Sequence, residues 1–200
     1  MPKQVDHQQR RASIATAAAA CIAEQGLQGT TMRVIAQHAG VSKGIVEHYF
    51  ANKDEVIEAA LEQMNLRYLA REQELTAGLS GLAALRARLC CVLPLDAESR
   101  QAWKIRLCFW SVAAIHPETR REQQTRLALT RERYLQDLQA AQRNGEIRAM
   151  AEPGQVATDL GLLMAGAACG ALLDPEYYSR DYLESLIDRT LDHLTREPQP

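Results

Sequence analysis

Two hundred residues leave room for one large or two small domains. With 46% hydrophobic residues, abundant alanine and only 5% aromatics, the composition favours helices around a sizeable core over a sheet. A net charge of −2 excludes a generally basic nucleic-acid coat, although a duplex reader needs only a local cluster of cations.

In chain order, Met1 to His7 is a polar tail, expected to be disordered. Gln9 to Gln25 places Ile14, Ala17, Ala18, Cys21 and Ile22 on one helical face, and Gly26 ends that helix. Arg10 and Arg11 stand at its start, where the helix dipole disfavours cations. Phosphate and solvent are both open as their partners.

Thr30 to Lys53, TTMRVIAQHAGVSKGIVEHYFANK, reads as two short helices joined by a tight turn. Met32, Ile35, Ala36 and Ala39 share one face of the first. Gly40 enters the turn without steric cost, and Val41 plugs the gap. Ser42 is a good N-cap for the second helix, on which Ile45, Val46 and Phe50 point inward. Lys43, Gly44, Glu47 and His48 are left outside. This is a helix-turn-helix, whose second helix lies in the DNA major groove. The same stretch holds Arg33, Lys43 and Lys53 against Glu47 alone.

Asn52 caps a long helix from Lys53 to about Leu75, with Val56, Ile57, Ala60, Leu61, Met64 and Tyr68 as core positions. It is the expected link between two halves of the protein. A short helix, Leu82 to Leu93, lies between Gly78/Gly81 and Pro94. Asp96 or Ser99 then caps a helix reaching Ile115, apolar on two faces and therefore buried. His116-Pro117 breaks it. A polar helix from Glu118 to Arg143 turns Leu127, Tyr134, Leu135 and Leu138 inward. Glu152-Pro153 opens a Gly/Ala-rich helix, and Ser179 begins the last one.

The five cysteines, Cys21, Cys90, Cys91, Cys108 and Cys169, show no C-x-x-C and no zinc-finger spacing. Their odd number, with no secretory signal, fits a reducing cytosol. They are expected as small core residues, with a thiol sensor at Cys90/Cys91 as the alternative. No apolar run is expected to reach the roughly 20 residues of a membrane span. No G-x-S-x-G, phosphate-binding glycine loop or paired metal histidines occur. We therefore expect no enzyme, no cofactor and no metal site.

TTMRVIAQHAGVSKGIVEHYF-ANKDEVIEAAL resembles the N-terminal domain of the TetR family of transcriptional regulators. The match runs over roughly residues 9 to 62. It includes the Ala-Gly-Val-Ser turn, the His-Tyr-Phe ending and the Asn-Lys-Asp that opens the next helix. In the C-terminal half, Ala102-Trp103, Phe109-Trp110 and His116-Pro117 resemble the choline-responsive betaine-synthesis repressor (BetI-like) subgroup. The region after Leu173 departs from that pattern, and Glu47 stands where a small polar residue is expected.

The resemblance implies an all-α fold: a three-helix DNA-binding domain at residues 1–52 and a helical effector-binding and dimerisation domain at 53–200. It places DNA contacts at Thr31, Arg33, Ser42, Lys43, Gly44, Glu47, His48, Tyr49 and Lys53. Thr31, Tyr49 and Lys53 are expected at phosphates, and Arg33 and Lys43 at guanine. Packing is the alternative for His48 and Tyr49. Glu47 either reads cytosine N4 or pairs with Lys43. A homodimer interface is implied on Leu160, Met164, Ala168, Leu172, Tyr182, Leu186, Leu191 and Leu194, with intramolecular packing as the alternative. An effector pocket falls on Trp103, Leu107, Trp110, Tyr134, Met164 and Cys169. Its aromatic faces suit a quaternary ammonium compound; the alternative is that both tryptophans are core. The expected function is a cytoplasmic, ligand-controlled, homodimeric repressor of double-stranded operator DNA. The alternative is a helical small-molecule-binding or scaffold protein without DNA activity.

Overall fold

The computed structural model describes residues 2–148 and 152–195, and every regular element among them is an α-helix. In order these are α1 (Pro2–Gly29), α2 (Met32–His38), α3 (Lys43–Tyr49), α4 (Lys53–Thr76), α5 (Gly81–Val92), α6 (Ala97–Ile115), α7 (Pro117–Arg143), α8 (Pro153–Leu173) and α9 (Arg180–Thr195). The chain forms two compact units: residues 1–70 with 104–111, and residues 71–103 with 112–200. The domain boundary expected at residues 52/53 lies inside the first unit, at the start of α4.

Helix α1 begins at Pro2, so the stretch expected to be disordered is helical from residue 2 on. Proline suits a first helical turn, and no glycine follows until Gly26. There the backbone leaves the helix, at φ 70° and ψ 178°. Two groups fasten the segment that follows. The Thr30 hydroxyl donates to the Gly26 carbonyl at 2.7 Å, and Lys53 Nζ donates to that of Leu27 at 2.6 Å. Ile14, Ala18, Cys21 and Ile22 are buried as their spacing predicts.

In the first unit, α1 packs on α2 and α2 on α3. Ile35, Ala36, Val46 and Phe50 close the small core. Ile45, expected inward, is 41% exposed, because the seven-residue α3 turns only Val46 fully into that core. Arg11 braces the unit. Its guanidinium donates to the Tyr49 carbonyl at 2.6 Å and to Glu55 at 2.7 Å, and lies 4.2 Å from the Phe50 ring centre. Asn52 caps α4 by accepting from the Glu55 N–H, and Glu55 reaches back to the Ala51 N–H.

In the second unit, α5 packs against α7 and α9, and α7 against α8. Between α4, α5 and α7 lies a buried ionic quartet. Arg88 reaches Asp137 at 2.6 Å and Glu72 at 3.2 Å, and Arg133 approaches the same Glu72 oxygen at 2.9 Å. Burial pushes the Asp137 carboxyl above its ordinary range, against the pull of Arg88. Leu127, expected inward on α7, is 43% exposed, whereas Tyr134 and Leu138 are buried. The inward face of α7 is largely polar, and hydrophobic spacing alone does not locate it.

Helix α6 begins at a reciprocal cap. Asp96 accepts from the Ser99 N–H at 2.8 Å, and the Asp96 N–H donates to the Ser99 hydroxyl at 3.1 Å. Arg71 adds an ion pair to Asp96 at 2.5 Å and holds its carboxyl well below the usual range. Asp96→Ala is therefore expected to cost about 1 kcal/mol, the usual value of a lost N-cap. A depressed acid contributes stability that is present above its unfolded pKa and lost as pH falls. The wild-type advantage over Asp96→Ala should thus shrink on acidification below about pH 4, as followed by urea midpoints at several pH values.

Helix α8 is 21 residues long and apolar enough to cross a membrane by length and composition, which corrects the expectation that no run qualifies. Here Leu160, Met164, Ala168 and Ala171 form a stripe buried within the protein.

Candidate nucleic-acid interface

The helix-turn-helix is set by three local devices. Thr31 caps α2 by accepting from the Val34 N–H, and Ser42 caps α3 by accepting from the Ile45 N–H. Between them Gly40 takes φ 64°, a left-handed conformation that glycine adopts freely. The Val41 N–H then donates to the Ala36 carbonyl at 3.0 Å, closing the turn.

With Val46 and Phe50 buried, α3 presents Ser42, Lys43, Gly44, Glu47 and His48 outward, and α2 presents Arg33. Arg10, Gln37, Ser42, Gly44, Ile45 and His48 line a concave surface of about 710 Å³ on this side, with Tyr49 at its edge. Gly44 meets no atom closer than the Ser42 hydroxyl, 3.9 Å from where a Cβ would stand. Of the expected DNA-contact residues, Ser42, Gly44, His48 and Tyr49 line this surface, Thr31, Arg33, Lys43 and Glu47 are exposed, and two, Tyr49 and Lys53, carry internal contacts. Tyr49 is half-buried, with the His7 ring tilted against it at 4.6 Å and the His48 ring edge-on at 5.2 Å. Lys53 is held on Leu27. Sequence spacing missed Gln37 and Ile45 on this surface. Gln37 carried a signal, as an outward polar position one turn before Gly40. Of the two arginines of α1, Arg11 is committed to the internal brace and Arg10 stays exposed at the concave surface.

Glu47 pairs with Lys43 at 2.6 Å, four residues apart on the helix surface. Both side chains are about half exposed, so the pair contributes only a few tenths of a kcal/mol. Glu47→Ala is expected to leave stability almost unchanged and to retain the base preference of the selected operator. A changed preference in repeated site selection restores cytosine readout.

In the second unit, Trp103 is 2% exposed and its indole N–H donates to the Val92 carbonyl. Tyr134 and Met164 are equally buried, and Cys169 is half-buried. Leu107 and Trp110, in the first unit, are both half-buried. Of the residues expected at a dimer interface, Leu160, Met164, Ala168 and Leu191 are buried within the chain, and Leu172, Tyr182, Leu186 and Leu194 are partly accessible. Leu162, Leu163 and Leu173 form the outer apolar edge of α8, with Tyr177 just beyond it. Cys21 and Cys91 are buried, and burial raises the Cys21 and Cys90 thiols, opposite to what a reactive thiolate needs. No cluster of three or more candidate metal ligands occurs among the described residues.

Residues 14–60 match the family model described as bacterial regulatory proteins, tetR family. Residues 82–196 match that of the BetI-type transcriptional repressor, C-terminal. The chain is 31% identical over 194 residues to the HTH-type transcriptional regulator BetI of Burkholderia mallei, covering 94% of this chain and 98% of that one. It is 30% identical over 192 residues to the BetI regulator of Paraburkholderia xenovorans, with the same coverage of 94% and 98%. Among solved structures, a transcriptional regulator from Rhodococcus sp. Rha1 superposes with a TM-score of 0.79 at 29% identity, covering 92% of this chain and 95% of that one. One from Saccharomonospora viridis, in complex with choline, gives 0.82 at 20% identity over 93% and 97%, a likeness of fold.

Proposed function

Because the chain belongs to the TetR family of transcriptional regulators, with a BetI-type C-terminal region, we propose how it reads DNA and what releases it. The protein is a ligand-responsive DNA-binding transcriptional repressor. It acts in the cytoplasm as a homodimer that sets two α3 helices into successive major grooves on one face of the duplex, about 34 Å apart. Supporting this reading is the division of α3 into a buried side, Val46, and an exposed side, Lys43, Gly44, Glu47 and His48.

Arg33 and Lys43 read guanine O6 and N7, and Ser42, Gly44 and His48 meet the groove beside them. Thr31, Tyr49 and Lys53 take phosphates. An ammonium has three N–H donors, and Leu27 engages one of those on Lys53. Lys53→Ala is accordingly expected to weaken binding to all sequences and to reduce the salt slope by about one. An unchanged slope removes Lys53 from the phosphate contacts.

The dimer joins the accessible sides of α8 and α9: Leu172, Tyr182, Leu186 and Leu194, with Leu162, Leu163 and Leu173 beside them. Exposed apolar patches of this kind mark interfaces. The effector is a small quaternary ammonium compound bound in the second unit, where Tyr134, Met164 and Cys169 line α7 and α8. Its binding favours a state in which the two α3 helices no longer match the groove spacing, and by linkage operator DNA weakens effector binding equally.

Selection of binding sites from random duplex DNA tests the whole reading, with and without choline. The expected product is a palindrome with half-sites one helical turn apart, depleted when the effector is present. Failure to enrich any sequence overturns DNA recognition. Enrichment that choline and related ammonium compounds leave untouched overturns the effector class alone.

A further inference from the structure

The inward line of α7 carries Gln123, Arg126, Thr130 and Arg133 at helical spacing. Arg133 belongs to the ionic quartet, facing Glu72. Arg126 and Gln123 stand about two and three turns before it. Gln123 is 9% exposed, and its Nε2 is buried with no hydrogen-bond partner. The same holds for Nη1 of Arg126. The other arm of that guanidinium, Nη2, lies 3.8 Å from Glu122, whose side chain is 61% exposed. This contact is loose and on the solvent side, where the Arg126 side chain as a whole is 34% exposed, and the buried Nη1 arm makes no hydrogen bond.

Buried donors are nearly always paired in folded proteins. Here two stand three residues apart, as neighbours on one helix face. Both groups only donate at these nitrogens, so the missing partner is an acceptor. A guanidinium selects a planar anion with two oxygens, and a carboxamide N–H beside it serves the same group. We propose that Gln123 and Arg126 form a clamp for the carboxylate of the effector, within the second unit. This rests on the reading of the chain as an effector-controlled repressor. It narrows the effector to a small molecule with a carboxylate at one end. For an ammonium compound that means a zwitterion rather than an amino alcohol.

The test is calorimetry on the full-length protein with matched probes: N,N,N-trimethylglycine, choline, acetate and hexanoate. Trimethylglycine is expected to bind about tenfold or more tightly than choline. Arg126→Met and Gln123→Leu should each remove that preference. Both variants, without ligand, should melt at or above the wild-type temperature, because each deletes a buried donor that makes no hydrogen bond in the structure. A merely structural role lowers the melting temperature instead, and overturns the clamp. If choline and trimethylglycine bind equally, the clamp falls and the ammonium effector stands. If only acetate or hexanoate binds, and Arg126→Met abolishes it, the clamp stands and the ammonium class falls. If no probe binds, the clamp is overturned.

Discussion

Replacing Arg88 with methionine is expected to cost the protein about 3–5 kcal/mol, the penalty for breaking a buried ion pair on one side. Methionine keeps most of the stem volume, so the loss isolates the charge. Arg88 links Glu72 on α4 to Asp137 on α7, and those two side chains are only 3% and 9% exposed. Without it, two buried carboxylates face the single guanidinium of Arg133. Circular dichroism in urea should show a strongly lowered midpoint. Replacing all four charged residues by apolar ones of similar volume should recover much of the loss, because a buried ionic group often holds no advantage over packed hydrocarbon.

The same quartet has a pH signature. Burial raises the Asp137 carboxyl above its unfolded value. For an acid shifted upward, the folded state binds the proton more tightly than the unfolded state. Its contribution is then fully present below the unfolded pKa, about 3.9, and lost as pH rises through the folded value. The stability of wild type relative to Asp137→Asn should therefore decline as pH rises from about 4, opposite in sense to the Asp96 comparison.

Gly44→Leu is expected to weaken operator binding roughly a hundredfold, about 2.7 kcal/mol, while stabilising the free protein by about 0.5–1 kcal/mol. The two effects have separate causes. Gly44 sits in the first turn of α3, with open space where a side chain would stand. A leucine there restores helix propensity without touching the core. On the proposed reading it also fills the space through which the α3 backbone would approach base edges. Melting temperature and gel-shift affinity, measured on one preparation, should move in opposite senses. Retention of full affinity would place Gly44 away from the groove.

The motif was legible because its signals are local. Ser42 caps α3 as expected, Gly40 turns, and Asn52 opens α4, while the Thr31 cap of α2 is a further local device that the structure adds. The ends of α6 and α7 follow from Asp96, Pro117 and Asn144 in the same way. The inward face of α7 was legible only at its apolar members, Tyr134 and Leu138. Gln123, Arg126, Arg133 and Asp137 read as a solvated surface until partners from α4 and α5 arrive, and those lie dozens of residues away in sequence. The α8 stripe of Leu160, Met164 and Ala168 is buried within the chain. Its apolar character was plain, but sequence cannot say whether an apolar face meets its own chain or a second copy. Tyr49 and Lys53 carry internal contacts that their positions in the motif did not announce.

Gly26 restricts the mutational paths open to this protein. Its φ and ψ lie in a region that essentially only glycine occupies, and a non-glycine residue held there costs of order 1–3 kcal/mol. Yet nothing lies within 4 Å of where its Cβ would be. The restriction is torsional, so no neighbour can relieve it by shrinking or moving aside. A defect at a crowded core position can be rescued by a second substitution next to it. A defect at residue 26 has no such suppressor, and a library of random variants should return only glycine there while the exposed Glu24, Gln25 and Gln28 drift.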